Sequence, residues 1–495
     1  MKYLKRVSHS IPDIRIREAN DASINPHGSF VLYWMIAYRR STWNFSLQRA
    51  VEWALELNKP LLVMEALQCT YGWANDRFHR FILEGMANNA RQFNGSGVLY
   101  YPYIEPIRNA DKGLLIALAK KACVVITDDS PVFFLPRMVA SASRKLGVLM
   151  EQVDSNGLLP MRAAERFFPT AHGFRRFLQS ILPLYLLESP KAEPLKGMKL
   201  MRLNALPEEI INRWPMASSE LLTGDPGALA SLPINHDVGT GGRHGGSETA
   251  QGVMSRFLQD RLSQYLEDRD QPEAEGTSGL SPYLHFGHIS AHQIFHQLMD
   301  REGWTLDRLS SVTKGSRSGW WGVSEASEAF LDQLVTWREL GFNICWQRED
   351  YDRYESLPRW ALQTLSDHER DRRPYVYSPE EFESARTHDT LWNAAQMQLV
   401  HEGRIHNYLR MLWGKKILEW LPSPRDALKV MINLNNKYAL DGRDPNSYSG
   451  IFWVFGRYDR AWGPERPIFG KIRYMSSQNT ARKVRVKGYI NKYAP

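Results

Sequence analysis

The sequence predicts an α/β, Rossmann-like N-terminal domain with a parallel sheet, linked to an all-α C-terminal domain. Three features of its 495 residues carry that reading. Between residues 28 and 190, short apolar runs alternate with segments long enough for crossover helices, the rhythm of a parallel sheet covered on both faces. From residue 253 onward, strand-like alternation gives way to helix-period patterns. Between the two, residues 191–252 keep neither rhythm and include GTGGRHGGS at 239–247, too rich in glycine for regular structure. The expected division is therefore 1–190, a linker over 191–252, and 253–495.

The first strand is FVLYWM at Phe30–Met35, and LLVMEAL at Leu61–Leu67 is the second. VLYYPYI at 98–104, CVVITD at 123–128 and GVLMEQV at 147–153 complete a set of five. No GxGxxG follows the first strand, so the dinucleotide fingerprint is absent. The 239–247 run reads as a flexible connection or as a loop whose bare backbone could approach a phosphate. Helical periodicity then covers 253–267, 290–302, 325–344, 358–371, 389–420 and 424–436.

Apolar residues make up 43% and charged residues 23%, ordinary globular usage. No run of 18 uncharged apolar residues occurs, and the basic N-terminus has no apolar stretch after it, so neither a membrane span nor secretion is expected. Cys69, Cys123 and Cys345 are too few and too scattered for a disulfide framework or a thiolate zinc site, which points to a reducing, cytoplasmic compartment. The net charge of +8 is local. Residues 456–495 hold ten Lys or Arg against Asp459 and Glu465, so the rest of the chain sums to zero. Tyr458, Trp462, Phe469, Tyr474, Tyr489 and Tyr493 interleave with those cations, a composition suited to a polyanion with flat bases.

Hydrolytic and metal signatures are missing: there is no HExxH, GxSxG, GxxxxGK[ST] or EF-hand loop. His285, His288 and His292 lie within eight residues but straddle a helix start, and read as polar or capping groups, not metal ligands. Three other stretches are informative. In 257–290 an amphipathic helix ends near Arg269, a loop with Pro272 and Gly276 follows, and Thr277, Ser278 and Ser281 precede a helix; hydroxyls and free N–H groups there could receive a pyrophosphate. In 389–420, Trp413 and Trp420 share one helix face about 10 Å apart, with Trp392 on the preceding helix. Such indoles could relay electrons, although on spacing alone core packing is the commoner reason. In 434–475, Asp441, Asp444 and Asn446 occupy a turn-rich loop where carboxylate and amide groups could meet a heterocycle edge or a ribityl chain, and Trp453, Trp462 and the cations follow.

With these stretches assembled, the chain resembles the photolyases of the cryptochrome/photolyase family, most closely the class II cyclobutane pyrimidine dimer (CPD) photolyases. YxxxRDxPxxxGTSxLSPYLHFGxIS at 265–290 is similar to the family's FAD-binding segment. LWNAAQxQxVHxG, LRMxWxKKILEW and DGRDPN…RPIFGKIRYM resemble class II signatures, in order, over about 240 residues. In the N-terminal half only YWM and the architecture agree.

The resemblance implies a U-shaped FAD in the helical domain and, in many members, a second light-harvesting chromophore of deazaflavin or folate type. It places Tyr265, Thr277, Ser278, Leu280, Ser281 and Arg338 on the phosphates and ribityl chain, with Gly279 beside the phosphates. Asn407, Arg410 and Asp441 would lie near the isoalloxazine, with Asn446 at its N5 edge and Asp444 among the cofactor-binding residues. Trp392, Trp413 and Trp420 become a photoreduction relay. Trp337, Met411 and Trp462 would line the lesion cavity, and Arg460, Lys471 and Arg473 would hold DNA phosphates. The implied activity is light-driven electron donation that splits dimers in UV-damaged DNA, by a monomer working on the nucleoid.

Four departures from the family pattern stand out. Gln333 replaces the glutamate expected to bond the dimer carbonyls, Gly279 replaces a larger residue, the interval from Trp453 to Trp462 is about one residue short, and IAYRR at 36–40 replaces an RDQR-like run, so no antenna site is assigned. Gln333 also motivates a second reading, a cryptochrome-like photoreceptor that keeps FAD without efficient repair. A third is a nucleic-acid-binding scaffold with a vestigial flavin site.

Overall fold

A computed structural model gives the fold and describes residues 10–495. The basic start of the chain, read above against a secretion signal, lies partly outside the described residues. The chain divides into two compact units. The first runs to Glu165 and adds Ile181–Met254 and Leu280–Arg301; the second comprises Arg166–Ser180, Ser255–Gly279 and Glu302–Pro495. The chain thus crosses between units more often than one passage over 191–252 would give. That passage is itself structured, with short helices at Glu208–Arg213, Ser219–Leu222 and Pro226–Ala230.

In the first unit six strands form one sheet: β1 (Ile16–Glu18), β2 (Phe30–Met35), β3 (Leu61–Leu67), β4 (Leu99–Ile104), β5 (Ala122–Asp128) and β6 (Met150–Val153), in the order β1-β6-β5-β2-β3-β4. All pairings are parallel except that of β1 with β6. Every β2 residue is buried. They sort by parity: Phe30, Leu32 and Trp34 join Leu62 and Met64 on one face, while Val31, Tyr33 and Met35 join Leu61 and Val63 on the other. A run with no polar alternation has this outcome only when helices cover both faces. The first two expected strands match residue for residue. The last begins three residues late, at Met150, and Leu149 before it donates its N–H to the Ser23 carbonyl. The antiparallel edge strand β1 has three residues, too few to show a period.

The missing glycine fingerprint has a structural counterpart. At the end of β5, Asp128 Oδ2 accepts from the backbone N–H groups of Ile36, Ala37 and Tyr38 (2.7–2.9 Å), and Oδ1 accepts from Tyr33 Oη (2.8 Å). A carboxylate of the chain itself fills the nest after β2 that in a dinucleotide fold receives a phosphate. The glycine-rich run is likewise tightly docked on the Asp76–Phe93 helix. A Cβ on Gly245 would lie 1.8 Å from the Phe81 carbonyl oxygen, and one on Gly246 (φ +93°) 2.3 Å from the Asn88 amide. The Gly246 N–H donates to His288 Nδ1 (2.9 Å), and that ring stacks on Phe81 at 5.1 Å.

Buried histidines make acid stability a test of this packing. Burial pushes His288 down to about 3 and His79 to about 4, and burial with Arg404 nearby pushes His406, in the second unit, to about 4. Their unfolded counterparts protonate near pH 6.5, so below that pH the unfolded chain binds protons the folded chain refuses. Stability is therefore fully present above about pH 6.5 and is lost as pH falls toward 3–4, by up to about 1.4 kcal/mol per pH unit for each histidine. Urea unfolding at pH 7 and pH 5 should show the drop; equal stability at both would contradict the neutral, buried assignment.

The second unit is helical. Residues expected to form one helix near 253–267 instead pass through a π-turn at Phe257–Arg261 and a 3₁₀ turn at Leu262–Gln264 before Tyr265–Asp268. The 325–344 run becomes Glu325–Leu331, a π-turn at Asp332–Trp337 and Arg338–Gln347. The 389–420 run splits into Thr390–Glu402, which ends at Gly403 in the left-handed region (φ 67°), and Asn407–Trp420. Pro424–Tyr438 and Pro445–Val454 follow.

Candidate functional site

Two glycines let the Pro445–Val454 helix sit close to its neighbours. A Cβ on Gly414 would meet the Val454 side chain at 2.5 Å, and one on Gly341 would meet Asn446 N and Oδ1 at 3.1 Å. The loop before that helix is pinned from Pro424–Tyr438: Asn435 Nδ2 donates to Ser447 Oγ (2.6 Å), and Asn436 Oδ1 accepts from the Arg443 N–H (3.0 Å). Asp444 is the N-cap, accepting from the Asn446 N–H (2.8 Å). Asn446, half-buried, thereby lies against the Gly341 backbone, and Asp441 pairs with Arg410 at 3.2 Å. Arg410 Nε and both ring nitrogens of His406 are buried with no hydrogen-bond partner. Buried polar atoms without partners are costly and rare, and a polar ligand is one remedy. Asn407, first residue of its helix, is exposed.

Toward the expected phosphate segment, Tyr265 is buried against Phe257 and Phe330, each at 5.6 Å, and burial pushes its phenol up to about 12. Gly276 lets the loop fold back on the preceding helix, since a Cβ there would lie 2.6 Å from the Asp268 backbone carbon. Thr277, Ser278 and Gly279 (φ +71°) are half-buried, and Arg338 is buried with its guanidinium 4.5 Å over the Phe342 ring. Leu280 and Ser281 belong to the first unit, where Leu280 is buried and Ser281 opens a helix of only five residues, Ser281–His285. So short a helix lacks a developed macrodipole, and the pyrophosphate receptor expected there reduces to hydroxyls and individual N–H groups.

Trp392, Trp413 and Trp420 are among the largest fully buried side chains of the described residues. Trp392 Nε1 donates to the Trp413 carbonyl (3.0 Å), Trp413 Nε1 to Gln396 Oε1 (2.9 Å), and the Trp392 and Trp420 rings meet at 5.8 Å, edge to face. The structure thus couples Trp392 to both of the others, which spacing along one helix could not show.

On the expected lesion face, Gln333 and Trp337 lie in the π-turn, both half-buried. Trp337 stacks on Trp453 (4.7 Å, 17°), and its Nε1 donates to Asp332 Oδ2 (3.2 Å), whose carboxylate also pairs with Arg175 (2.8 Å). Met411 is half-buried on the Asn407–Trp420 helix. Trp462 carries the guanidiniums of Arg460 (4.9 Å) and Arg473 (5.2 Å) over its ring. Beside it opens a cleft of about 320 Å³ walled by Tyr408, Arg466, Arg473, Tyr474 and Lys483. The basic tail is not wholly a surface: Arg457 is buried on the Tyr351 carbonyl and Ser356 Oγ, and Lys471 pairs with Glu465 (3.1 Å).

No protein-family model matches the chain. It is 34% identical over 479 residues to a deoxyribodipyrimidine photo-lyase of Methanothermobacter thermautotrophicus, covering 97% of each chain. It is 33% identical to the photo-lyase of Arabidopsis thaliana (95% of this chain, 89% of that one) and 31% to that of Potorous tridactylus (96% and 84%). The chain belongs to the photolyase family. In fold it is similar to the crystal structure of a class III photolyase from Agrobacterium tumefaciens, with TM-score 0.68, 15% identity, and coverage of 96% and 87%. As a photolyase it is an enzyme of DNA repair, and among its described residues no helix is long and apolar enough to cross a membrane.

Several residues of this photolyase come forward only in its geometry. Trp453 stacks on Trp337 across 116 positions, and no local pattern marks that pair. Asn435 and Asn436 did carry a signal, two poor helix formers side by side in a helix interior. Lys415 is fully buried, donates to the Val454 carbonyl and is pushed down to about 7 by burial, and no local pattern marks it as buried.

Proposed function

We propose that this photolyase is an FAD-dependent, light-driven lyase that splits cyclobutane pyrimidine dimers in UV-damaged DNA inside the cell. The observation that carries the reading is the buried series Trp413, Trp392 and Trp420, joined by a hydrogen bond and a ring contact, in a unit that also buries unpartnered polar atoms at Arg410 and His406. When bound, reduced FAD would supply a light-excited electron that opens the two cyclobutane carbon–carbon bonds and would recover it afterwards. Arg410, Asp441 and Asn446 would hold the isoalloxazine, with Asn407 and Asp444 at the edge of the same loop. Tyr265, Thr277, Ser278, Gly279 and Arg338, all of the second unit, would serve the ribityl chain and phosphates. Photolyases take the damaged bases out of the stack, and a dimer, poorly stacked already, costs less to extrude than sound bases. Trp337 on Trp453, with Met411, would give the extruded dimer an apolar wall, while Trp462, Arg460, Lys471 and Arg473 would hold the strand.

Gln333 can donate and accept hydrogen bonds but carries no charge. Gln333→Glu is therefore expected to repair at least as well as wild type, measured as dimers split per absorbed photon. A strong loss would mean that the amide suits another lesion. The near-full-length similarity to enzymes named photo-lyases favours repair over the photoreceptor reading that Gln333 had motivated.

An antenna of deazaflavin or folate type would find flat partners in the first unit. Tyr71, Trp73, Phe133 and Phe134 cluster within 4.7–6.2 Å at the carboxyl ends of β3 and β5, and Trp73 and Phe133 have φ of 70° and 64°, costly for aromatic residues. The lesion class is tested with oligonucleotides carrying one cyclobutane dimer or one (6-4) product: light-dependent loss of the first alone supports the reading, and loss of the second alone overturns it.

A further inference from the structure

The indole N–H of Trp337 is held more firmly than a half-buried tryptophan needs. Its Nε1 donates to Asp332 Oδ2 (3.2 Å), while Asp332 Oδ1 accepts from Arg175 Nε (2.8 Å). Water could satisfy an N–H at a partly open site; here a carboxylate and a guanidinium, 13% and 6% exposed, are kept out of water to do so. Arg175 is fixed in turn by a glycine turn. Its Nη1 donates to the Gly315 carbonyl (3.4 Å), and Gln179, one turn further along the Ala171–Ile181 helix, accepts from the Gly315 N–H (2.7 Å) and donates to the Ser316 carbonyl (2.9 Å). Gly315 has φ +78°, and a Cβ on it would lie 2.9 Å from the His172 carbonyl oxygen, so this approach needs glycine. All of these residues belong to the second unit.

Backbone geometry explains how Asp332 reaches that indole. Residues five apart on an α-helix point about 140° apart, onto different faces. Over Asp332–Trp337 the helix is a π-turn, in which the Arg338 N–H donates to the Gln333 carbonyl five residues back; this wider turn brings positions 332 and 337 onto one face. We propose that Asp332, clamped by Arg175, is a positioning residue that fixes the plane of Trp337 and thereby sets how strongly the protein prefers a pyrimidine dimer to intact DNA. The proposal rests on the reading of Trp337 as a wall of the lesion cavity.

The chemistry of the three groups makes the carboxylate hard to replace. Both neighbours of Asp332 are donors, an indole N–H and a guanidinium. A carboxylate offers an acceptor oxygen to each, whereas an amide has one oxygen and one NH₂ and must turn a donor against one of them. Arg175 Nη2 is buried with no hydrogen-bond partner, so the guanidinium depends on Asp332 and Gly315 for its place. With its N–H bonded, the Trp337 indole cannot rotate freely, and it stays stacked on Trp453 at 4.7 Å and 17°. A dimer extruded against this wall meets a surface already ordered, with no ordering cost on binding. Intact DNA, its bases still stacked, is held through its phosphates and does not use the wall.

The test compares the full flavin-loaded wild type with Asp332→Asn, Trp337→Phe and the double variant. Two quantities are read: the ratio of affinities for a dimer-containing and an intact oligonucleotide in darkness, and the exciton couplet that stacked indoles give in far-ultraviolet circular dichroism. The part of the couplet lost in Trp337→Phe belongs to the Trp337–Trp453 pair. Asp332→Asn should lose most of that part and lower the dimer preference about tenfold, through weaker dimer binding at unchanged affinity for intact DNA. In the Trp337→Phe background, which has no N–H to hold, Asp332→Asn should lower the preference no further. Arg175→Lys, which keeps a cation on the carboxylate, should retain more of both quantities than Arg175→Met. A couplet unchanged in Asp332→Asn or in Trp337→Phe overturns the assignment, as does a loss of preference that adds in full to that of Trp337→Phe. A couplet that responds as expected in a wild type without any preference for the dimer would uphold the link from Asp332 to Trp337 while contradicting the lesion-wall reading. Flavin content and unfolding midpoint check that each variant is folded; Asp332→Glu, which keeps both acceptor oxygens but moves them by one methylene, carries the same comparison should the asparagine variant not fold.

Discussion

Replacing Trp392 with phenylalanine is expected to slow photoreduction of bound flavin by an order of magnitude or more, while repair by chemically reduced protein stays near wild type. In the proposed relay Trp392 would be the joint: its Nε1 bonds the Trp413 carbonyl, and its ring meets Trp420 at 5.8 Å. Phenylalanine fills most of the volume but is far harder to oxidise, so the hole cannot pass. The change also removes one buried hydrogen bond and leaves a small void, which should destabilise the protein by about 1–3 kcal/mol. Steady blue-light reduction with an external thiol, beside single-turnover repair after dithionite reduction, separates the two activities. Equal loss of both would mean that Trp392 only packs.

Asp441→Ala should have the other large effect, on flavin retention. Arg410 and Asp441 are each about one-fifth exposed and form a 3.2 Å pair, and Arg410 Nε already has no partner. Without the carboxylate the guanidinium keeps its desolvation cost and loses its counter-charge. The protein should purify with a small fraction of the wild-type flavin, read from its visible absorbance, and Asp441→Glu should restore part of it. Full flavin occupancy in the alanine variant would remove the pair from the cofactor site.

The parts legible in the sequence are those written in a local period. Phe30–Met35 and Leu61–Leu67 show as strands because buried parallel strands are continuous apolar runs. Trp413 and Trp420 show as neighbours because seven residues make two helical turns. Other features depend on residues far apart. The 239–247 run has the composition of a linker, and only the approach of Gly245 to Phe81 reveals a docked strap. The π-turn that holds Gln333 and Trp337 inserts one residue into a helical period and leaves no compositional mark. The Ser281–His285 helix carries a strong motif, yet its five residues are set by the Gly287 turn (φ +73°), whose backbone approaches Ala37 so closely that a Cβ would lie 1.9 Å from that carbonyl oxygen. Asp128, filling the nest after β2, is an ordinary aspartate at a strand end until the fold closes around it.

The central claim is that the helical unit holds a flavin whose light-excited electron reaches a pyrimidine dimer. Its most direct test incubates the reduced protein with an oligonucleotide containing a single cyclobutane dimer, in blue light and in darkness, and counts intact pyrimidines. Several turnovers per protein are expected in light and none in the dark; bound, reduced flavin with the dimer untouched after illumination would show that the flavin does not serve the dimer.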